Sequence, residues 1–213
     1  FFARNLPNWP YKKDVIWHFD GASKRRMMCL YHKTRGYRKM NGYNLIKKKP
    51  VLWLTMVAVL MAMNVVLSSF SIPVPGGHLY LNDIVICTAA ILLDPLGAFI
   101  VGGVGAFLGD FFFYPAPMFV SLASHGLEAV VVSLCAHNLF KEKKALGAGI
   151  GVVLGAIIMV IGYTLGRAFV YSTPEYAIIK LPFEILQAGI GAVMGMVLCF
   201  SRNLAQRFEK ICA

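Results

Sequence analysis

From Pro50 onward the chain alternates long apolar runs with short polar or proline-rich breaks, and the run lengths carry the first inference. Val51–Phe70 is long enough, as a helix, to cross a hydrocarbon core of ~30 Å. PVPGG at 73–77 interrupts it. Proline lacks the amide donor that a helix or a ladder needs and glycine favours turns, so a loop is expected through this stretch. Asn82–Leu93 is apolar but short for a span. Asp94-Pro95 then marks a tight turn before Leu96–Phe113. Pro115 and Pro117 break the pattern again, and Met118–Leu139 follows. The polar cluster Lys141–Lys144 separates that run from Gly147–Tyr171, and Ser172–Glu175 separates the latter from Ile178–Phe200. The pattern predicts an all-α membrane protein with six transmembrane helices.

Composition agrees: 58% of the 213 residues are hydrophobic and 15% are charged, with a mean hydropathy of +0.64, far more apolar than a soluble domain. The formal charge of +11 points at first to nucleic acid, but its distribution removes that reading. Residues 1–49 hold thirteen of the twenty-one Lys/Arg and two of the ten Asp/Glu, so this segment carries the whole excess and residues 50–213 balance. A basic flank before the first apolar run is the positive-inside bias of membrane proteins, and anionic lipid of the bilayer is its expected partner. Lys47–Lys49, Lys141–Lys144, Arg202, Arg207 and Lys210 all fall on one side of a six-span arrangement, which puts both termini in the cytoplasm.

The chain therefore divides into a basic N-terminal extension, 1–49, and a six-helix membrane domain, 50–213. Residues 1–39 show neither helical nor strand periodicity and are expected to be a disordered extension or an over-extended reading frame, with Met40 a natural start. About fifty polar residues come before the first apolar run, so no cleaved secretory signal is expected. The five cysteines (Cys29, Cys87, Cys135, Cys199, Cys212) lack CxxC or zinc-type spacing and read as reduced packing residues.

Polar groups inside the apolar runs are the candidate chemistry. A charge at a helix centre costs roughly 2.5–3.5 kcal/mol on insertion scales, so such groups belong at helix ends or against a protein-lined cavity. Leu81–Glu128 contains Asp83, Asp94, Asp110 and Glu128 and no lysine or arginine. His125 and Glu128 are three apart and share a helix face, Tyr163 and Arg167 are four apart, and Glu184 and Gln187 are three apart. Each pair lies within a turn or two of a proline break: Pro117, Pro174 or Pro182. If these faces converge they form a polar substrate pocket closed by the PVPGGH and YPAP loops. Arg167 paired with Glu128 or Glu184 as a structural bridge is the bland alternative. Asp83 suits the pocket and a helix N-terminus equally well. His78 and Asn82 are weaker candidates, Asp94 reads as a turn residue, Asp110 as a helix-end or site residue, and His137 as interfacial.

No GxxxxGK[ST], HExxH or GxSxG occurs, so the chain carries neither a P-loop nor a hydrolase signature, and no enzymatic activity, bound cofactor or metal is expected. Small residues recur at helical spacing: Ala58 and Ala62; Gly102 and Ala106; Gly147, Gly151 and Gly155; Gly191 and Gly195. Close helix packing is their default meaning.

The run GHLYLNDIVICTAAILLDPLGAFIVGGVGAFLGDFFFYPAP, then FVSLASHGLEAVV, and later FEILQAGIGAVMG, resembles the substrate-binding S components of energy-coupling factor (ECF) vitamin transporters, the riboflavin-type group in particular. The resemblance covers about residues 50–200. It implies a membrane subunit that captures a water-soluble vitamin or precursor from outside. It also implies a transmembrane T component and two ATPases that use ATP, with the ligand delivered by tipping of the S component. The family's small-residue motif that contacts the T component matches Ala58-Val-Leu-Met-Ala62. Two positions depart from the group: His125 where a lysine is expected, and Glu184 where an asparagine is expected. Arg167 with His125 suits an acidic ligand, whereas Glu128 and Glu184 suit amines or hydroxyls. A stand-alone transporter with Glu128 or Glu184 carrying a proton is the runner-up, and a membrane enzyme using Asp83, Asp110 or His125 comes last.

Overall fold

Pro50 sits at the first turn of α1 (Pro50–Ser68), where its missing N–H costs nothing. In the computed structural model, residues 49–140, 143–201 and 204–212 are described. The basic stretch before Lys49, including the proposed start at Met40, lies outside them, as do Lys141, Glu142 and Arg202. Helix α1 is exposed over most of its surface and buries Val57, Asn64 and Ser68.

The PVPGG stretch differs from expectation. Strand β1 (Ser71–Val74) pairs antiparallel with β2 (Gly77–Tyr80), placing Pro73 opposite His78 and Val74 opposite Gly77. A ladder does form through Pro73, because a two-stranded ribbon leaves one side of each strand unpaired and proline tolerates an edge. Pro75 and Gly76 make the turn, with Gly76 at φ +81°, a conformation glycine adopts without strain.

Helix α2 (Asp83–Leu92) has ten residues, nine of them buried. At 1.5 Å per residue it extends ~15 Å, half a bilayer core. It is enclosed by its neighbours and meets little lipid. Glycines set those approaches: a Cβ on Gly191 would lie 2.5 Å from Asp83 Cβ, and one on Gly195 would lie 2.7 Å from Cys87 Cβ.

Helix α3 (Pro95–Phe113) follows the Asp94-Pro95 turn, and Trp53 Nε1 donates to Asp94 Oδ1 at 2.6 Å, tying α1 to that turn. It contains one widened π turn at Ile100–Val104. Asn64 Nδ2 of α1 donates to the Val101 carbonyl there at 2.6 Å, so a side chain satisfies the turn. Helix α4 (Met118–Asn138) packs on α5 (Lys144–Tyr171) through Gly147, Gly151 and Gly155, whose absent side chains admit Cys135, Val132 and Glu128. The bland meaning of these small-residue ridges holds, as it does for Gly102 against Ala129 and Ile86.

Helix α6 (Pro174–Ser201) corrects a second expectation: it starts at Pro174 and continues through Pro182, so no break occurs there. The ring removes one donor inside the helix, a loss that membrane helices tolerate when neighbours surround them. Helix α7 (Leu204–Cys212), unforeseen in the apolar pattern, ends the described chain. Among the described residues five helices are long and apolar enough to cross a membrane, with α2 as a shorter sixth. The hairpin makes the fold all-α but for one ribbon.

Candidate functional site

Beneath the hairpin the protein is polar in three tiers. The outermost is an open cavity of about 270 Å³ between the hairpin turn, Tyr114 and the ends of α5 and α6, bordered by Gly76, Arg167, Tyr171 and Tyr176. It narrows inward past Gly77, Tyr114, Arg167 and Tyr171 to a recess of about 20 Å³, room for little more than one water. The recess walls are His78 and Tyr80 of the hairpin, Asp110 and Tyr114 at the end of α3, Tyr163 and Arg167 of α5, and Lys180, Glu184 and Gln187 of α6.

Arg167 is the joint between tiers. It sits in the π turn Arg167–Tyr171 that ends α5, which turns its side chain under the hairpin. Its Nη1 donates to the Gly76 carbonyl at 2.8 Å, and its Nη2 donates to Glu184 Oε1 at 3.3 Å. Lys180, one turn before Glu184 on α6, places Nζ 3.7 Å from the same oxygen, and Thr164 donates to the other carboxylate oxygen at 3.4 Å. The structural pairing considered for Arg167 is therefore with Glu184 and not with Glu128. Three polar atoms around the recess have no protein partner: His78 Nδ1, Arg167 Nε and Tyr171 OH. Buried polar atoms are ordinarily satisfied, so these three carry hydrogen-bonding capacity that the protein itself does not use.

Gln187 is the hinge to the innermost tier. Its Oε1 accepts from the Tyr80 N–H at 3.0 Å, holding the hairpin strand down, while its Nε2 donates to Asp83 Oδ2 at 3.0 Å. Asp83, at the first turn of α2, thus spends its side chain on α6 and makes no helix-capping bond. His125 Nδ1 lies 2.9 Å from Glu128 Oε2 and 3.6 Å from Asp83 Oδ1. Asp83, His125 and Glu128 are each 1% exposed and do not border the recess. The ring of Tyr163, 5.1 Å from that of His125, stands between them and the recess. The Tyr163 hydroxyl donates to Ser121, which donates to Asp110, and this chain closes the recess floor on the α3–α4 side.

Of the seven pocket residues read from spacing, Tyr163, Arg167, Glu184 and Gln187 line the recess, and Asp83, His125 and Glu128 form a dry cluster behind it. Lys180, Tyr80, Tyr114 and Tyr171 were missed. Lys180 had a signal: it is a lone cation in an apolar run, four residues before Glu184. The tyrosines had none, since each lies at an element end where side-chain direction is not set by period. Outside the pocket, Ala58 and Ala62 lie exposed on α1.

Long apolar helices exposed to their surroundings and packed around a polar recess are the architecture of an integral membrane protein. The comparison with known families makes this specific: residues 49–205 match the model described as ECF-type riboflavin transporter, S component, and the chain belongs to that family. It is a membrane subunit for vitamin uptake, and its family transports where an enzyme would transform. The chain is also similar to a Pyrococcus woesei protein described as "Uncharacterized protein in gap 3'region", 36% identical over 126 residues, covering 58% of this chain and 82% of that one.

Proposed function

We propose that this S component captures a small aromatic, water-soluble vitamin or precursor under the β1–β2 hairpin and delivers it inward by moving against a T component powered by two ATPases. The observation that carries the reading is the cavity of about 270 Å³ under the hairpin, which shares Gly77, Tyr114, Arg167 and Tyr171 with the smaller recess. Aromatic rings of Tyr114, Tyr171 and Tyr176 border the cavity, Tyr80 and Tyr163 line the recess, and His78 Nδ1, Arg167 Nε and Tyr171 OH are unpartnered among these residues. Rings accept a flat heterocycle by stacking, and a guanidinium N–H selects an acceptor-rich or anionic substituent.

In this reading α2 counts as the sixth, half-length span, with the hairpin supplying the rest of its passage. The hairpin faces outside, both termini are cytoplasmic, and Asp83, His125 and Glu128 support the ligand site from behind. Ala58 and Ala62 on exposed α1 offer the flat surface that close helix docking needs, and the T component is the proposed partner for it. ATP is consumed by the partner subunits.

The test is mass spectrometry of small molecules co-purifying with the detergent-solubilised chain, followed by binding measurements. A heteroaromatic ligand whose affinity falls at least about tenfold in Arg167→Ala supports the site, that change corresponding to ~1.4 kcal/mol. Undiminished binding in that variant refutes it. Uptake driven by a proton gradient in the isolated subunit would replace the ATPase-coupled reading with the stand-alone transporter.

A further inference from the structure

The innermost tier has a composition that ligand capture does not require. Two carboxylates, an imidazole and a thiol are gathered from two helices: Asp83 and Cys87, four apart on α2, and His125 and Glu128, three apart on α4. One nitrogen and two carboxylate oxygens, from His125, Asp83 and Glu128, all lie within 4.8 Å of one another, and Cys87 Sγ is 3.7 Å from Glu128 Oε1. Arg167 and Lys180 pair with Glu184, and the cationic group that faces both acids is His125, 2.9 Å from Glu128 Oε2 and 3.6 Å from Asp83 Oδ1. One imidazolium offsets at most one of two buried carboxylates, whereas a divalent ion matches the charge of both.

A second observation shows where it belongs. Asp83 Oδ1 has no hydrogen-bond partner although Asp83 is 1% exposed, and this oxygen points at the cluster, 3.6 Å from His125 Nδ1. We infer that Asp83, His125 and Glu128 form a binding site for a borderline divalent transition-metal ion of the zinc type, pinning α2 to α4 beneath the vitamin recess.

The donor geometry suits it. Ligands held at ~2.0–2.2 Å from a tetrahedral ion stand about 3.3–3.6 Å apart. The observed 2.9 Å and 3.6 Å separations bracket that spacing, so shifts of a few tenths of an ångström seat the ion. The donor mixture of one imidazole and two carboxylates, with a thiol at its margin, favours zinc, cobalt or iron over magnesium or calcium. The outer support that metal sites use is present: Gln187 Nε2 holds the other oxygen of Asp83. The cluster adjoins the recess: Gln187, which lines the recess, bonds Asp83, and the ring of Tyr163, another recess residue, lies 5.1 Å from that of His125. Because Gln187 also holds the Tyr80 N–H, an ion fixing Asp83 would steady the roof of the recess through one amide.

The experiment uses the full chain purified in detergent, stripped with a chelator, reloaded with Zn²⁺ or Co²⁺, desalted and analysed for metal content. The expected result is one tightly held ion per chain, lost or weakened at least tenfold in Asp83→Asn and in His125→Gln and retained in Glu184→Gln. Absence of a tightly held ion, or an ion that survives both substitutions because it sits elsewhere on the chain, would overturn the site. If those variants fail to fold, the visible spectrum of the Co²⁺-loaded unmodified protein decides: intense four-coordinate absorption supports the cluster, and weak six-coordinate absorption refutes it. The inference stands apart from the vitamin reading, since a chain that binds no vitamin would still hold the ion.

Discussion

Arg167 and Gln187 each hold the hairpin by one hydrogen bond and reach into the tier below by another. Roof and floor are thereby coupled through two side chains. Arg167→Lys keeps the charge but cannot reach both Gly76 and Glu184 with a planar fork, so faster amide exchange across Gly76–Tyr80 is expected, with ligand binding about tenfold weaker. Gln187→Leu strips partners from the Tyr80 N–H and from Asp83 Oδ2. A loss of about 2 kcal/mol in stability is expected, read by thermal unfolding in detergent, and an unchanged midpoint would contradict the hinge role. Some of this was legible beforehand. The His125–Glu128 and Tyr163–Arg167 pairs followed from helical period, and so did the candidacy of Glu184 with Gln187. The bond from Gln187 to Asp83 spans 104 positions, and no local pattern encodes such a partner.

At the scale of elements, glycine decides how closely helices approach. A Cβ at Gly191 would sit 2.5 Å from Asp83 Cβ and 3.1 Å from its backbone carbon, whereas one at Gly189, two residues earlier on α6, meets nothing within 4 Å. Gly191→Ala is therefore expected to push α6 from α2 at a cost of ~1–3 kcal/mol. Gly189→Ala should leave stability unchanged or raise it by up to about 1 kcal/mol through reduced chain entropy. Equal destabilisation by the two would show that α6 does not pack on α2 as described. Five long helices were readable from run length, and their breaks from proline and glycine. The hairpin and the continuation of α6 through Pro182 were not, because proline's effect depends on whether its neighbours leave an edge or enclose a helix.

The described residues separate a polar interior at the hairpin end from an apolar exterior, and α1 is the least buried of the five membrane-length helices among them. If Ala58 and Ala62 dock on a T component, Ala58→Trp should abolish ATPase-dependent uptake while ligand affinity in the isolated chain stays within about twofold, because neither alanine borders the recess. Parallel loss of binding would merge the two faces into one. The sequence by itself determined the membrane class, the main helices and most of the chemically active residues. Apolar run length against bilayer thickness and the cost of intramembrane charge are local constraints, and they can be read one segment at a time. Only the tertiary structure decided how those residues divide. Tyr163, Arg167, Glu184 and Gln187 went to the recess with Lys180. Asp83, His125 and Glu128 went to a dry cluster behind it. That division depends on which helix faces meet, and the fit of glycine gaps against α2, α4 and α6 sets those meetings.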